Sequence, residues 1–241
     1  MTIAPQQYHI DLSEQLLMAA LPGEPATLYW SQAESAGLVL GFSQKQSVLN
    51  QSALITQPIP LYHRRAGGTA VLVGSGLLSL DVILPSGHPF ILPDIVESYQ
   101  WLGTAWVKAL GRLGVETGLV SPQEAHAQRA LLKQEATRRR EAILSRACFG
   151  SLSSYEVVAN KRKVVGLDMI RRRTGSLLQA GLLLKWDTEP LVELLGHTPE
   201  EQTILREGLP ERAVGLDTLA GRTISAMEVI SAFEEVLSTM D

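Results

Sequence analysis

The chain has 241 residues, 45% hydrophobic and 19% charged, with a net charge of −4. That composition excludes a disordered or collagen-like chain, and no run of eighteen apolar residues is present to span a bilayer. A single cysteine, Cys148, excludes an internal disulfide and any multi-thiolate metal centre. Residues 1–14 lack the basic start and apolar core of a secretory signal, so a cytoplasmic location is expected.

In chain order, Leu12, Leu16 and Leu17 recur at helical spacing and predict a helix over Asp11–Ala20, closed by Leu21-Pro22-Gly23. Short β-rich runs follow at Ala26–Trp30, Leu38–Phe42, Ile59–His63, Ala70–Val73 and Leu77–Leu84, separated by glycine-containing turns. Pro93-Asp94 opens an amphipathic pattern to Leu113, with Ile95, Tyr99, Leu102, Trp106 and Leu110 on one face. Ser121-Pro122-Gln123-Glu124 is a capping box that predicts a polar helix. Arg138–Arg140 fits either that helix's tail or a solvated loop. A meander is expected next: Tyr155–Ala159 and Lys163–Gly166 flank an Asn160-Lys161 turn, then Ile170–Arg173 and Leu177–Trp186 flank Thr174-Gly175. Helical spacing returns in the last fifty residues, with Ser225 capping a helix to Leu237. The pattern predicts an α+β fold, with mixed and antiparallel sheets flanked by helices over residues 1–188. A small helical appendage over residues 189–241 packs on it.

The charge is unevenly distributed. Residues 129–173 hold twelve Lys/Arg against four acids, a local +8, which leaves −12 for the rest. Cys148 lies inside that segment, and a thiol among cations is a candidate reactive thiolate; the structural alternative is a small buried apolar residue. Two further constellations carry chemistry. Arg64-Arg65-Ala66-Gly67-Gly68-Thr69 combines two guanidinium forks with glycines that allow close backbone approach to a ligand, or is a tight turn with solvated arginines. Lys161-Arg162-Lys163-Val164-Val165-Gly166 puts Lys163 early on a strand, either reaching a carbonyl in a cleft or decorating an exposed hairpin. The five histidines are dispersed without metal-ligand spacing, so no metal site is expected.

Together these segments resemble the lipoate-attachment superfamily of lipoate-protein ligases, octanoyltransferases and, more distantly, biotin-protein ligases. The resemblance rests on Gly41-Phe42-Ser43-Gln44, the Arg64–Val71 segment, Tyr155-Glu156-Val157 leading into Lys161–Gly166, and Leu177-Leu178-Gln179-Ala180-Gly181. It implies a biotin/lipoate-ligase-like domain over about residues 8–188. It also implies an acyl group bound by Arg64, Gly67, Gly68, Thr69, Gly166, Gln179 and Gly181, with its carbonyl contacted by Lys163. Cys148, seven residues before Tyr155, stands where the thioester-forming branch carries its nucleophile. Thr69 and Val73-Gly74 replace the third glycine and the His-Asp of ATP-dependent members. Two departures stand out, Leu167-Asp168-Met169 after Gly166 and Ala180 between Gln179 and Gly181, where the family usually has Ser-Ala-Gln or Ile-Ser-Gln and, in many members, a histidine.

The resemblance therefore implies transfer of an octanoyl or lipoyl group to a lysine of a lipoyl-domain protein through a Cys148 thioester. The donor would be an acyl carrier protein or an acylated lipoyl domain, with no cofactor. An ATP-dependent ligase forming an acyl-adenylate, which alone would need ATP and Mg, is the first alternative; a non-catalytic acyl-binding member is the second. Basic residues offer a face for acidic protein partners or are plain solvated surface. Nucleic acid is not expected, since no aromatic residues interleave the cations, and neither is a membrane.

Overall fold

A computed structural model describes residues 1–56 and 58–240. Its first half runs β1 (Thr2–Ala4), α1 (Gln6–Ala19), β2 (Thr27–Ala33), β3 (Gly37–Leu40), α2 (Gln51–Thr56), β4 (Leu61–His63), β5 (Val71–Val73), β6 (Leu77–Pro85) and α3 (Gln100–Arg112). It continues with β7 (Gly118–Leu119), α4 (Pro122–Ala130), α5 (Glu135–Leu144), β8 (Val157–Ala159), β9 (Arg162–Arg172) and β10 (Gly175–Leu183). The chain closes with α6 (Glu189–Leu195), α7 (Pro199–Arg212), α8 (Leu216–Ala220) and α9 (Ala226–Leu237). Seven strands form one sheet in the order β1-β2-β6-β10-β9-β8-β7, antiparallel except for the β1–β2 pair. A three-stranded sheet, β4-β3-β5, lies apart from it. This is the expected α+β arrangement of mixed sheets flanked by helices.

Alternation along β6 decides which layers form. Leu78, Leu80, Val82 and Leu84 point to one face, where α3 contributes Leu102, Trp106 and Leu110 and α9 contributes Ile230, Phe233 and Val236 to the main core. Trp106 lies 4.5 Å from Phe233 in a tilted contact, and Trp30 meets both rings edge-on. The opposite face meets the small sheet, whose Val39, Val71 and Val73 pack with Leu77, Leu183 and Phe149. Behind the small sheet, Leu38 and Leu40 pack with Ile143 and Leu144 of α5, Leu191 and Leu195 of α6, and Leu205 and Leu209 of α7. Residues 189–240 thus cover both sheets from outside, with α9 in the main core and α6 and α7 behind the small sheet.

Several boundaries differ from the sequence expectation. The first helix begins at Gln6, five residues early. The third begins at Gln100 rather than after Pro93-Asp94. Asp94 spends its carboxylate on the Val96 and Glu97 amides, and Ser98 bonds back to Leu92 and Asp94, so a separate turn forms there and Ile95 stays exposed. Both capping boxes, Ser121 with Glu124 and Ser225 with Glu228, are present. Arg138–Arg140 lies in neither a helix tail nor a loop but in a helix of its own, α5. Asn160 and Lys161 both take positive φ, 49° and 64°, which makes the β8–β9 link a two-residue turn. Beyond it β9 runs unbroken through Gly166 and Asp168, and β10 ends at Leu183 rather than Trp186.

Candidate active site

Register across the large sheet builds the site. Residues directly opposite one another on neighbouring strands share a face. On the face toward the small sheet, Tyr29, Asp81, Gln179 and Asp168 form one row across β2, β6, β10 and β9. The next row is Ser31, Ser79, Gly181 and Gly166, all small. Apolar rows bound the two: Ile83, Leu177 and Ile170 on one side under α1, and Leu77 with Leu183 on the other. The small row leaves a floor with no side-chain bulk, and above it opens a cleft of about 730 Å³, including the part open to solvent. Val39, Val71 and Val73 of the small sheet roof it, α1 closes one end with Gln6, His9 and Ile10, and Cys148, Phe149 and Arg64 stand at the other side.

Cys148 opens a single 3-10 turn after α5, and its half-buried thiol faces the cleft. Its N–H donates to Ala70 O at 2.8 Å, and Ala70 N donates to Arg146 O at 3.1 Å, which pins the thiol segment to the start of β5. Gln44 adds a second tie, with Nε2 on Arg146 O at 3.1 Å. Lys163 holds the turn from beneath. Its Nζ donates to the Cys148 carbonyl at 2.8 Å and to the Glu156 carboxylate at 2.9 Å, with lysine and glutamate only 1% and 2% exposed. Burial pushes the Glu156 carboxyl up, and the Lys163 charge with the Ser153 and Leu167 amides pulls it back.

The cation beside the thiol is Arg64. Its Nη2 lies 4.0 Å from Cys148 Sγ, while Nε donates to Gly67 O at 3.0 Å and Nη2 reaches Thr69 O at 3.4 Å. The guanidinium therefore braces the Gly67-Gly68 turn and faces the sulfur together. Gly68 takes φ +78°, a conformation that favours glycine. Gly41 abuts that turn so closely that a Cβ there would overlap the Gly68 carbonyl. Gly41→Ala is expected to displace the turn with Arg64, lowering acyl transfer at least about tenfold against a stability cost of about 1–3 kcal/mol. Parallel turnover and urea-denaturation measurements check this.

The positive charge of residues 129–173 does not gather round the thiol. Arg139 pairs with Glu200, Arg140 with Glu211 and Arg146 with Glu201, all carboxylates of α7. Arg146 holds the Glu201 carboxyl down to about 2. Arg212 of α7 returns the pairing by reaching Glu141 of α5. Three arginines of the segment are thus paired where α5 meets α7, and the cation at 4.0 Å from the Cys148 sulfur is Arg64, from outside the segment.

The structure brings Cys148, Arg64, Gly166, Gln179 and Gly181 together on the cleft. Gly67, Gly68 and Thr69 form the turn that Arg64 grips, and Lys163 lies behind the Cys148 turn with its ammonium already engaged. Besides the floor serines, four polar lining residues were not singled out as site residues by the sequence. Asp168 stands out in the sequence only as a departure from a motif; its carboxylate faces Arg64 at 3.7 Å. Asp81 is fully buried, and burial pushes its carboxyl up against hydrogen bonds from Ser13 and from Gln179 Nε2 at 2.9 Å. A lone carboxylate in the otherwise apolar Leu77–Leu84 run was the available signal. His9 donates from Nε2 to Gln32 O at 3.0 Å, so Nδ1 faces the Tyr29 hydroxyl at 2.7 Å and neither nitrogen is free. Gln6 carried no signal at all. Among the described residues no group of three His, Cys, Asp or Glu side chains could hold a metal ion.

Comparison with known proteins places this geometry. The family model described as "Lipoyl protein ligase A/B catalytic domain" matches residues 5–238. An octanoyltransferase LipM of Kyrpidia tusciae is 31% identical over 232 residues, covering 95% of this chain and 80% of the relative. One from an Exiguobacterium species is 30% identical, covering 88% and 73%. A bipartite lipoate protein ligase of Thermoplasma acidophilum superposes with a TM-score of 0.74 at 17% identity, covering 99% of this chain and 80% of that one. A lipoate-protein ligase A structure bound with ATP gives 0.71 at 18%, covering 99% and 82%. The relatives establish the chain as an acyltransferase, the solved structures establish its fold, and the chain belongs to the lipoyl protein ligase A/B catalytic domain family.

Proposed function

We propose that Cys148 carries an octanoyl or lipoyl group as a thioester between a donor and a lysine of a lipoyl-domain protein. The observation that carries this is the thiol on the cleft wall, 4.0 Å from the Arg64 guanidinium, over a floor of Ser31, Ser79, Gly181 and Gly166. The thiolate attacks the carbonyl of an octanoyl carrier-protein thioester, the C–S bond to the carrier breaks, and the carrier's sulfur leaves as a thiolate. An already acylated lipoyl domain is the alternative donor in this proposal. Arg64 and the backbone N–H groups of the Gly67-Gly68 turn stabilise the developing oxyanion, each donor being worth about 10²–10³ in rate. Lys163 is a positioning residue that fixes the carbonyl of Cys148 and so the direction of its side chain.

The reaction as proposed needs no ATP. Arg64 is the one lysine or arginine among the residues lining the cleft, and it is engaged with Gly67, Thr69 and Asp168; Lys163 is engaged with Glu156. No described helix is long and apolar enough to cross a membrane, and the proposed setting is the cytoplasm with a lipoyl domain as acceptor. Intact-protein mass spectrometry after incubation with octanoyl carrier protein, with and without ATP, tests the reading. Octanoyl mass on Cys148 without ATP, chased off by a lipoyl domain, is expected. An adduct that needs ATP and free octanoate would overturn it in favour of a ligase, and no adduct or one that is never chased would favour a binding protein.

A further inference from the structure

The Cys148 reading leaves one step without a group to perform it. The acceptor lysine reaches the site as an ammonium ion and must lose a proton before its nitrogen can attack. We propose that Asp168 receives that ammonium and takes its proton in the second half-reaction. The inference rests on Cys148 forming the acyl-enzyme, and four observations carry it.

Asp168 lines the same cleft as Cys148, and Arg64 joins them: one guanidinium nitrogen is 3.7 Å from Asp168 Oδ2 and 4.0 Å from Cys148 Sγ. The two carboxylate oxygens are unequal. Oδ1 accepts from the Met169 amide at 2.8 Å, whereas Oδ2 is buried and has no hydrogen-bond partner, since Arg64 stands beyond hydrogen-bond reach. An anionic oxygen buried without a donor, on a residue that lines a substrate cleft, is an acceptor that an entering ammonium would satisfy. Gln179, directly opposite on β10 and also lining the cleft, commits its amide nitrogen to Asp81, so its carbonyl oxygen is the acceptor it has left to offer. An octanoyl chain has no donor for these two acceptors, and the lysine ammonium does.

Burial pushes the Asp168 carboxyl above its ordinary value, with Arg64, the Met169 amide and Lys163 pulling it back, so its basicity moves toward the working range of an acid–base group. Arg64 and Cys148 share the cleft with it, Lys163 acts on it from its own strand, and Tyr99 lies beyond it.

The step balances. One ammonium proton goes to Asp168. The nitrogen lone pair forms the C–N bond to the thioester carbonyl, the C–S bond breaks, and the remaining surplus nitrogen proton goes to the departing Cys148 sulfur. Asp168 then returns its proton to solvent.

Separating the half-reactions tests this. The octanoyl-enzyme is formed with octanoyl carrier protein and followed by mass, then chased with a lipoyl domain or with hydroxylamine, a nucleophile that is uncharged at neutral pH. Asp168→Asn is expected to slow the lysine chase by about 10²-fold or more, to leave its rate climbing with pH through the neutral range because only the free amine then reacts, and to slow formation of the acyl-enzyme and the hydroxylamine chase far less. Asp168→Glu should restore a faster lysine chase whose rate levels off toward neutral pH. Equal slowing of all three steps, or an unchanged lysine chase, would overturn the proposal. Absence of any octanoyl-enzyme in the unsubstituted protein would instead be a failure of the Cys148 reading.

Discussion

Cys148→Ala is expected to abolish the octanoyl-enzyme and to lower octanoyl transfer by at least about a thousandfold, the scale on which removal of a covalent nucleophile acts. The cleft has no substitute. The Ser31 and Ser79 hydroxyls lie on its floor, and a serine hydroxyl needs an adjacent base to become nucleophilic. The cleft's one histidine, His9, has both ring nitrogens engaged by Gln32 and Tyr29, and Asp81 accepts from Ser13 and Gln179. The fold should barely notice the change. The thiol is half-buried, and the backbone of its segment is held by Ala70 and Lys163 through main-chain atoms that alanine keeps. The measurement is intact mass after incubation with octanoyl carrier protein, beside a urea denaturation curve. An alanine variant that still gains octanoyl mass and turns over, with an unchanged curve, would remove Cys148 from the reaction.

Residues that announce themselves locally were legible in the sequence, and those whose meaning depends on register were not. Ser121 and Ser225 each sit three residues before a glutamate, and both cap a helix as the spacing requires. Asn160-Lys161 could be read as a turn because asparagine tolerates the positive φ needed there, and Lys161 follows it into the same region. The cleft floor could not be read, since Ser31, Ser79, Gly181 and Gly166 are unremarkable until strand pairing sets them in one row. Asp168 interrupted the apolar pattern and made β9 look like two pieces, although the same interruption is its exposure to the cleft. The charge asymmetry was real along the chain and misleading in space. Arg139, Arg140 and Arg146 sit on or beside α5, and their carboxylate partners lie on α7, more than fifty positions later. Linear charge segregation can thus mark two segments that pack on each other as well as a face for an outside partner.

Lys163→Met tests the opposite balance, a large loss of stability from a residue that the sequence marked for chemistry. Lys163 and Glu156 are buried together, and removing the cation leaves a carboxylate held only by the Ser153 and Leu167 amides, at 2.7 and 3.4 Å. Breaking a buried pair in this way costs about 3–5 kcal/mol. The loss should depend on pH with a definite sign. Burial already raises Glu156 above its ordinary value, and without Lys163 it rises further, so the folded variant binds that proton more tightly than the unfolded chain. The deficit is therefore smallest below the ordinary glutamate range, grows as pH rises from there to the raised folded value, and is constant above it. Urea denaturation at about pH 5 and about pH 8 should show the larger deficit at the higher pH. Adding Glu156→Gln to Lys163→Met removes the unpaired charge, so stability should recover at the higher pH while the pH dependence flattens. Acylation of Cys148 should stay slow in that double variant, because the Cys148 carbonyl has still lost its donor at 2.8 Å. A deficit under about 1 kcal/mol at both pH values would mean that the ammonium is not what holds Glu156 in the core. Full acylation in the double variant would mean that Lys163 does not position the thiol.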